Sequence, residues 1–365
     1  MSVVHYVLAG GGTGGHLFPG LAVADALRQI QPEAGVTFLT TTRPLDRELL
    51  TQTPYEQIEQ SVRPFALHPL RLPAFWWHWR KSVHAACALL KERRPRAVLG
   101  LGGYAAGPPV VAARSLGIRT AILNPDAIPG RANRYLAKRA DLVVLQWEQS
   151  KRHFPPDADC RPFGCPIRKG FVRTERAEGY HRFELVPNRP TLLVTGASQG
   201  ARTINRAMCR VWPEFVSKHG DWQLLHLSGP RDEQGARAAY AAAGVPAHVL
   251  PFTHEMPLAL AAADLVISRA GASTLAELTA LGKPSILLPY PYHRDRHQHA
   301  NAQVLVDAGA AVVLEDQLDP AANAGPLLET LSRLADTGVR EPMAQAARGL
   351  ARPNAAHDVA KWLTS

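Results

Sequence analysis

A run of small residues near the start of the chain has the composition of a ligand-binding loop. It reads GGGTGGH over residues 10–16 and follows the apolar stretch 3–8. Glycines let the backbone approach a ligand closely, and a helix that begins near Leu17 would direct its N-terminal N–H groups and the positive end of its dipole at that ligand. The segment therefore predicts a site for an anion such as phosphate.

The same glycines also fit a dinucleotide-binding pattern. Gly10, Gly12 and Gly15 match G-x-G-x-x-G, which is normally accompanied by an acidic residue at the end of the second strand. Residues 36–43 supply no acid there. Arg43 could contact a 2′-phosphate instead, so an NADP-dependent enzyme stays open as an alternative.

Three further segments combine a strand end with small or polar residues. Residues 100–107 (GLGGYAAG) and 196–201 (GASQGA) are glycine loops, and each is also compatible with an ordinary tight turn. In residues 268–277 (SRAGASTLAE), the N–H groups of residues 272–274 would suit a diphosphate and Glu277 the hydroxyls of a ribose. Residues 274–277 equally form a capping box, in which Glu277 only caps the helix.

A polar segment at residues 293–301 follows another predicted strand and would suit the hydroxyls of a sugar. His293 and His297 have the i, i+4 spacing of metal ligands, but few carboxylates or thiolates accompany them. A solvated helix start is the remaining alternative. We expect neither a metal nor a cofactor.

Short apolar runs alternate with amphipathic helical stretches along the whole chain, which is typical of parallel strands in β-α-β units. The predicted strands are residues 3–8, 36–40, 97–101, 120–123 and 142–145, and then 191–195, 223–227, 247–250, 265–268, 285–288 and 311–314. We predict an α/β protein of two Rossmann-like domains, and a chain of 365 residues that is 46% hydrophobic can fill two cores.

The domain boundary is expected in residues 154–188, which are rich in Pro, Arg and Gly. We place it near residues 164–168, with residues 1–165 in the first domain and 166–344 in the second. Residues 343–363 predict helix around a break at Pro353. The helix over about 345–365 is expected to pack back on the first domain.

The charge, cysteine content and hydropathy of the chain indicate which partners and which cellular compartment to expect. The net charge of +10 suits an anionic partner, although a solvated basic surface would give the same value. Cys87, Cys160, Cys165 and Cys209 form no C-x-x-C pair, so we expect reduced, buried thiols in a cytosolic protein. The first residues show neither the basic region nor the cleavage site of a signal peptide, and no apolar run approaches ~18 residues, so we expect any membrane contact to be peripheral.

One segment is suited to such contact. Residues 67–81 contain Phe75, Trp76, Trp77, Trp79, Arg80 and Lys81. Amphipathic aromatic rings favour a lipid headgroup region, and the cations favour anionic lipid. Bulky residues that fill a core are the alternative.

Together these segments resemble the MurG-type glycosyltransferases over essentially the whole chain. The matching motifs are GGTGGH (11–16), GGYAAG (102–107), AIPGRANRYLA (127–137), Gly164-x-Pro166-x-Arg168, SQGA (198–201), SRAGASTLAE (268–277) and Asp295-Arg296-x-Gln298-x-x-Asn301-Ala302. The resemblance implies two Rossmann-like domains that face each other across a cleft, the GT-B architecture. It also implies inverting transfer of N-acetylglucosamine from its UDP form to the 4-hydroxyl of undecaprenyl-diphospho-N-acetylmuramyl-pentapeptide.

The resemblance also assigns partners and residues. It implies peripheral attachment to the anionic cytoplasmic face of a bacterial inner membrane, and we expect no nucleic-acid partner. The donor would contact Thr13, Gly14, Gly15, Asp126, Arg168, Ser198, the backbone of Thr253, Ala272, Ser273, Thr274, Leu275, Ala276, Glu277 and Gln298. The diphosphate of the acceptor would contact Gly11, Gly12, Gly102, Gly103 and Tyr104.

His16 is the candidate catalytic residue. An imidazole beside the first loop can take the proton of the acceptor hydroxyl near neutral pH. A histidine that only packs or binds a phosphate at the helix start is the alternative.

One segment and two single residues depart from the family pattern. The family's His-Glu-Gln-Asn is replaced by residues 123–126 (LNPD), so that Asp126 stands where an amide usually faces the donor sugar. His297 and Cys165 replace a usual Gln and Asn. The altered segment 123–126 leaves a non-catalytic UDP-sugar-binding protein open. A transferase of the same fold with another acceptor, such as diacylglycerol or a natural product, also stays open, although a neutral acceptor would not need the GGTGGH and GGYAAG loops.

Overall fold

The computed structural model describes residues 4–62, 72–196, 200–292 and 295–365. The chain divides into two compact units. The first consists of Met1–Arg168 together with Arg352–Ser365, and the second of Lys169–Ala351.

The first unit is a parallel β-sheet with helices on both faces. Its strands are His5–Gly10 (β1), Gly35–Thr40 (β2), Glu56–Glu59 (β3), Ala97–Gly102 (β4), Arg119–Asn124 (β5), Leu142–Leu145 (β6) and Cys160–Arg161 (β7). Its α-helices are Gly14–Ile30 (α1), Pro44–Thr51 (α2), Leu72–Arg93 (α3), Gly107–Ser115 (α4), Arg131–Ala137 (α5) and, from the end of the chain, Ala355–Thr364 (α15). Within the described residues the strand order is β3-β2-β1-β4-β5-β6-β7.

The core of this unit lies on both faces of the sheet, which explains why residues 6–9 of β1 are buried and hydrophobic in succession rather than at alternate positions. Tyr6 and Leu8 point to the face covered by α1 and α15, where Leu363 is completely buried. Val7 and Ala9 point to the opposite face, which α3 and α4 cover.

The second unit repeats the parallel architecture. Its strands are Thr191–Thr195 (β8), Gln223–Leu227 (β9), His248–Leu250 (β10), Leu265–Ser268 (β11), Ser285–Leu287 (β12) and Ala311–Val313 (β13). Its α-helices are Gly170–Arg173 (α6), Arg176–Arg182 (α7), Arg202–Lys218 (α8), Glu233–Ala242 (α9), Met256–Ala262 (α10), Ala272–Ala280 (α11), His297–Asp307 (α12), Pro320–Leu334 (α13) and Thr337–Gly349 (α14). In the described part of the chain, the strands are ordered β10-β9-β8-β11-β12-β13.

The predicted α/β class and its parallel strands are confirmed, with strand ends that move by one or two residues. Strands β3 and β7 escaped prediction because β3 (EQIE) lies half-exposed at the sheet edge and β7 has two residues. Two details were wrong. Helix α1 begins at Gly14, before Leu17, and residues 154–188 contain β7, α6 and α7 in addition to connecting chain.

The thiols are less buried than the sequence suggested. Cys165 is buried, whereas Cys87, Cys160 and Cys209 are half-buried. Burial nevertheless raises the pKa of the Cys160 and Cys209 thiols, so both resist ionisation.

The packing of α15 makes a prediction about stability. Leu363→Ala should lower the free energy of unfolding of the first unit by about 2–5 kcal/mol, because it removes a fully buried side chain and leaves a cavity. Urea unfolding, read by hydrogen exchange in peptides of the first unit, measures the change. His357 is exposed on the same helix, so His357→Ala is the control. It should change the free energy of unfolding by no more than about 0.5 kcal/mol. Equal effects of the two variants would contradict this role of α15.

Candidate functional site

The first glycine loop connects the carboxyl end of β1 to α1, and a buried carboxylate accepts a hydrogen bond from its backbone. Asp46, in the first turn of α2, is completely buried. Its two carboxylate oxygens lie 2.8 and 2.9 Å from the backbone nitrogen of Gly12, which donates to them. It also accepts from the N–H of Thr41 at 3.1 Å and from the hydroxyl of Thr41 at 2.5 Å. The N–H of Gly12 is therefore bonded inside the protein, so it is not a donor that faces a ligand.

His16 lies between the first and second glycine loops. Its Nδ1 is 3.1 Å from the carbonyl oxygen of Gly11 and 3.2 Å from the hydroxyl of Thr13. A carbonyl only accepts, so Nδ1 donates and the neutral ring carries its lone pair on Nε2. A Cβ added to Gly102 or to Gly103 would lie 3.1 Å from the imidazole. The fold thus brings His16, Gly11, Gly102 and Gly103 together where β1 and β4 end.

The second loop has a backbone that requires glycine. Gly102 and Gly103 have φ angles of +103° and +70°, which residues with a Cβ rarely adopt. Tyr104 then opens a single helical turn that leads into α4.

The segment that departs from the family pattern follows β5. Asn124 is buried and donates from Nδ2 to the carbonyl oxygen of Asp126 at 2.9 Å. Asn133, at the start of α5, donates to the carbonyl oxygen of Leu123 at 2.8 Å. These bonds fix the turn, and the residue at position 126 is half-buried.

The second unit contains a cleft of about 700 Å³ at the carboxyl ends of its strands. Three of the predicted donor-site residues line it, namely Thr274, Glu277 and Gln298. The lining also includes cationic and aromatic side chains that were not among the predicted site residues, namely Arg202, Arg269, Tyr290 and Tyr292. A cleft beyond the carboxyl ends of parallel strands is the usual ligand position in this fold class.

Helix α11 borders this cleft with its N-terminal end. Gly271 precedes the helix, which begins at Ala272, so Thr274 already lies in the first turn. The capping-box alternative for residues 274–277 is therefore wrong, because Thr274 is not the N-cap residue. Ala272, Leu275 and Ala276 are buried in the unit, while Ser273 is half-buried. The helix start presents its positive dipole end to the cleft.

A buried ion pair holds the strand ends around the cleft. Nη1 of Arg269 lies 2.8 Å from Oδ2 of Asp316, whose side chain is completely buried. Arg269 also donates to the carbonyl oxygen of Leu288 at 2.9 Å and to the hydroxyl of Thr203 at 3.0 Å. The pair therefore connects the segments that follow β11, β12 and β13 with the start of α8.

The same contacts control the ionisation of Asp316. Burial alone would raise the pKa of Asp316, but donors from Thr203, Asn323, the N–H of Leu318 and Arg269 outweigh it and hold the pKa below the ordinary value. Asp316 gave no signal in the sequence. Arg269 gave a weak one, since a charged residue directly follows a buried strand.

The remaining predicted donor-site residues lie in both units. Gln298, in the first turn of α12, accepts from the N–H of Tyr290 at 2.9 Å. Thr253 is buried and accepts from the N–H of Glu255. In the first unit, the guanidinium of Arg168 stacks 4.6 Å from the ring centre of Phe18. Thr13 and Gly15 are exposed in the first loop, and Gly14 is half-buried there.

Two predicted positions, Ser198 and His293, lie outside the described residues. Nδ1 of His297 lies 2.7 Å from the carboxylate of Asp295. The described ranges contain no group of three His, Cys, Asp or Glu side chains that could hold a metal ion.

Helix α3 carries the aromatic segment and divides it between two environments. Trp76 and Trp77 are 56% and 60% exposed, and Nζ of Lys81 lies 5.3 Å from the ring centre of Trp77. Arg80 is also exposed, and Phe75 is half-buried against Trp76. The core-filling alternative is therefore wrong for Trp76 and Trp77.

Trp79 has the opposite orientation. A Cβ on Gly107 would meet its ring at 2.5 Å, and its ring centre is 6.2 Å from that of Tyr135. Trp79 is therefore a packing residue between α3, α4 and α5. No helix in the described part of the chain has the length and apolar character needed to cross a bilayer.

Comparisons with protein families match both units. Residues 6–145 match the glycosyltransferase family 28 N-terminal domain, and residues 191–359 match the glycosyltransferase family 28 C-terminal domain. A UDP-N-acetylglucosamine–N-acetylmuramyl-(pentapeptide) pyrophosphoryl-undecaprenol N-acetylglucosamine transferase of Desulforudis audaxviator is 36% identical, over 96% of this chain and 95% of the relative. The enzyme of the same name from Anaeromyxobacter sp. (strain K) is 38% identical over 97% of this chain and 91% of the relative.

Solved structures agree with these matches. The crystal structure of MurG from Acinetobacter baumannii superimposes with a TM-score of 0.78 at 28% identity, and covers 99% of both chains. A UDP-GlcNAc 2-epimerase from Neisseria meningitidis, bound to UDP-GlcNAc, gives a TM-score of 0.68 at 13% identity over 99% of this chain and 100% of that chain. The second likeness concerns the fold alone.

The buried ion pair predicts a pH-dependent loss of stability. Asp316→Asn should lower the free energy of unfolding of the second unit by about 3–5 kcal/mol at pH 7, because Arg269 loses its buried partner. The pKa of Asp316 in the folded protein lies below the ordinary 3.8. The carboxylate therefore contributes its full stabilisation to the second unit above pH 3.8, and this contribution is lost as the pH falls through the folded pKa. The difference in the free energy of unfolding between wild type and Asp316→Asn should therefore become smaller below about pH 3.8.

Urea unfolding at a series of pH values, read by hydrogen exchange in peptides of the second unit, measures this difference. Asp319→Asn, at an exposed N-cap of α13, is the control. It should lower the free energy of unfolding by no more than about 1 kcal/mol. A difference between wild type and Asp316→Asn that is constant down to pH 2.5 would contradict the assignment.

Proposed function

This chain belongs to glycosyltransferase family 28 and, within it, to the MurG-type N-acetylglucosaminyltransferases, and on that premise we propose its reaction and site. It transfers N-acetylglucosamine from UDP-N-acetylglucosamine to the 4-hydroxyl of lipid-linked N-acetylmuramyl-pentapeptide, a step of peptidoglycan synthesis. The main support is the match to curated transferases of this reaction, which extends over 96% of the chain and therefore includes both units.

The cleft of the second unit is the proposed donor site. Its opening at the N-terminal end of α11 suits the diphosphate of UDP, because backbone N–H groups and the helix dipole both favour an anion there. Glu277, one turn further along the helix, would accept the hydroxyls of the ribose, and Gln298 would bind those of the sugar. The backbone of Thr253 would bind uracil, with Ser198 and Arg168 near the diphosphate.

The glycine loops around His16 are the proposed acceptor site. The acceptor hydroxyl gives its proton to Nε2 of His16 while its oxygen forms a bond to the anomeric carbon of the donor sugar. The bond from that carbon to the diphosphate oxygen breaks, and UDP leaves with the electron pair. The first turn of α11 stabilises the charge that develops on UDP, and the resemblance to the family assigns Arg168 a part in this role. Attack from the side opposite the leaving group inverts the anomeric centre.

The acceptor is a lipid, and α3 is the proposed membrane contact. Trp76 and Trp77 are exposed beside Arg80 and Lys81, and a net charge of +10 adds a general attraction to anionic lipid. The proposed location is the cytoplasmic face of a bacterial inner membrane, with peripheral attachment.

Turnover tests the proposed reaction. Purified protein, labelled UDP-N-acetylglucosamine and lipid-linked muramyl-pentapeptide should give a disaccharide lipid. His16→Ala should lower kcat by about 10²–10⁴-fold, because the hydroxyl loses its proton acceptor. Its Kd for UDP, measured by calorimetry, should remain within about twofold of wild type. Absence of product with UDP binding intact would identify a binding protein instead, and an unchanged kcat would remove His16 from the mechanism.

The membrane contact has a separate test. Changing Trp76 and Trp77 together to Ser should reduce binding to vesicles that contain anionic phosphatidylglycerol by about tenfold or more, because both exposed rings leave the headgroup region. Trp212→Phe, in the core of the second unit, is a control that removes an indole away from α3. Unaltered vesicle binding by a folded double variant would contradict the proposed surface.

A further inference from the structure

The segment from the end of β2 to the first turn of α2 holds the first glycine loop through three side chains. Asp46 accepts the N–H of Gly12, Thr41 donates its hydroxyl to Asp46, and Nη1 of Arg43 donates to the carbonyl oxygen of Gly12 at 2.7 Å. We call these contacts of Thr41, Arg43 and Asp46 the Gly12 clamp. The family comparisons assign it no role.

The clamp contains a charge that the protein interior must compensate. A fully buried carboxylate is stable only where hydrogen bonds replace its water shell. Asp46 obtains these bonds from the N–H groups of Gly12 and Thr41 and from the hydroxyl of Thr41. An amide at position 46 would turn an NH₂ group towards one of these donors, so a buried donor would lose its acceptor.

The glycine at position 11 is required by this clamp. A Cβ on Gly11 would lie 2.4 Å from Oδ2 of Asp46, and the φ angle of +153° lies in the range that favours glycine. The absence of a side chain at this position thus lets the loop backbone reach the carboxylate.

One peptide group connects the clamp to His16. The N–H of Gly12 and the carbonyl of Gly11 belong to the same peptide bond, which is planar and points them in opposite directions. The N–H side is bonded to Asp46, and the carbonyl side accepts from Nδ1 of His16. Fixing the N–H therefore fixes the direction of the carbonyl that binds the imidazole.

We propose that Asp46 is a positioning residue for His16. Through the rigid Gly11–Gly12 peptide, its carboxylate keeps the proton of the neutral imidazole on Nδ1 and leaves Nε2 as the acceptor for the proton of the substrate hydroxyl. The inference deepens the proposed function and rests on the role given there to His16.

A purely structural role for Asp46 predicts something different. Asp46 is the third residue of α2 and accepts from the N–H of Thr41, so it also fixes the backbone that leads from β2 into that helix. Loss of this contact alone would lower stability without changing which nitrogen of His16 carries the proton. The tautomer of His16 therefore separates the two roles.

The test compares Asp46→Asn with wild type and with Glu48→Gln, which removes an exposed carboxylate from the same helix. Asp46→Asn should lower kcat by about 10–100-fold, a part of the 10²–10⁴-fold that a general base contributes. The KM for UDP-N-acetylglucosamine should change by less than about threefold, because Thr274, Glu277 and Gln298 of the proposed donor site line a cleft in the other unit. Glu48→Gln should leave both constants unchanged.

Long-range ¹H–¹⁵N NMR spectra of the histidine side chains give the deciding measurement, with the His16 signals assigned by their loss in His16→Gln. Wild type and Glu48→Gln should show the Nδ1–H form, and Asp46→Asn should shift His16 towards the Nε2–H form. If His16 keeps the Nδ1–H form in folded Asp46→Asn, the proposal is overturned, whatever the change in kcat.

A second variant keeps the test decisive if Asp46→Asn does not fold. Gly11→Ala disturbs the same contact from the loop side and leaves the carboxylate in place. It should produce the same tautomer shift and fall in kcat, and an unchanged tautomer would overturn the proposal. If His16→Gln itself retains wild-type kcat, the catalytic role of His16 fails, while the tautomer measurement still decides what Asp46 does.

Discussion

The constraint on which the structure depends is that a parallel sheet must be covered on both faces. Helices between parallel strands return the chain to the opposite end of the sheet, so the strand-to-helix turns of a unit lie at the same edge of its sheet. In the first unit this arrangement brings the turns after β1 and β4 to either side of His16. In the second unit it brings the turns after β8 and β11 to one cleft.

Buried carboxylates stabilise these turns in both units. Asp46 binds the first glycine loop from the first turn of α2, and Asp316 binds Arg269 from the segment after β13. Each obtains several donors from neighbouring turns, which compensates for its removal from water. Residues remote in sequence thereby hold the loops at the strand ends, and the glycines allow the close approach that these bonds require.

The aromatic residues of α3 show how one segment serves two environments. Trp76 and Trp77 remain exposed beside cations, whereas Trp79 fills the space above Gly107 at the start of α4. Helix α3 therefore has an exposed aromatic surface on one side. On the other side, Trp79 packs against the start of α4, which follows the second glycine loop.

The sequence by itself determined the α/β class, the parallel strands and the family, because apolar runs and glycine turns are local signals and the motifs keep their order along the chain. Local sequence could not distinguish a capping box from a helix that begins at Ala272, nor an exposed tryptophan from a packed one. Only the tertiary structure decided that Asp46, rather than a ligand, takes the N–H of Gly12 and that Arg269 pairs with Asp316. These contacts join residues more than thirty positions apart, and the packing of helices on a sheet is what places such residues within hydrogen-bonding distance.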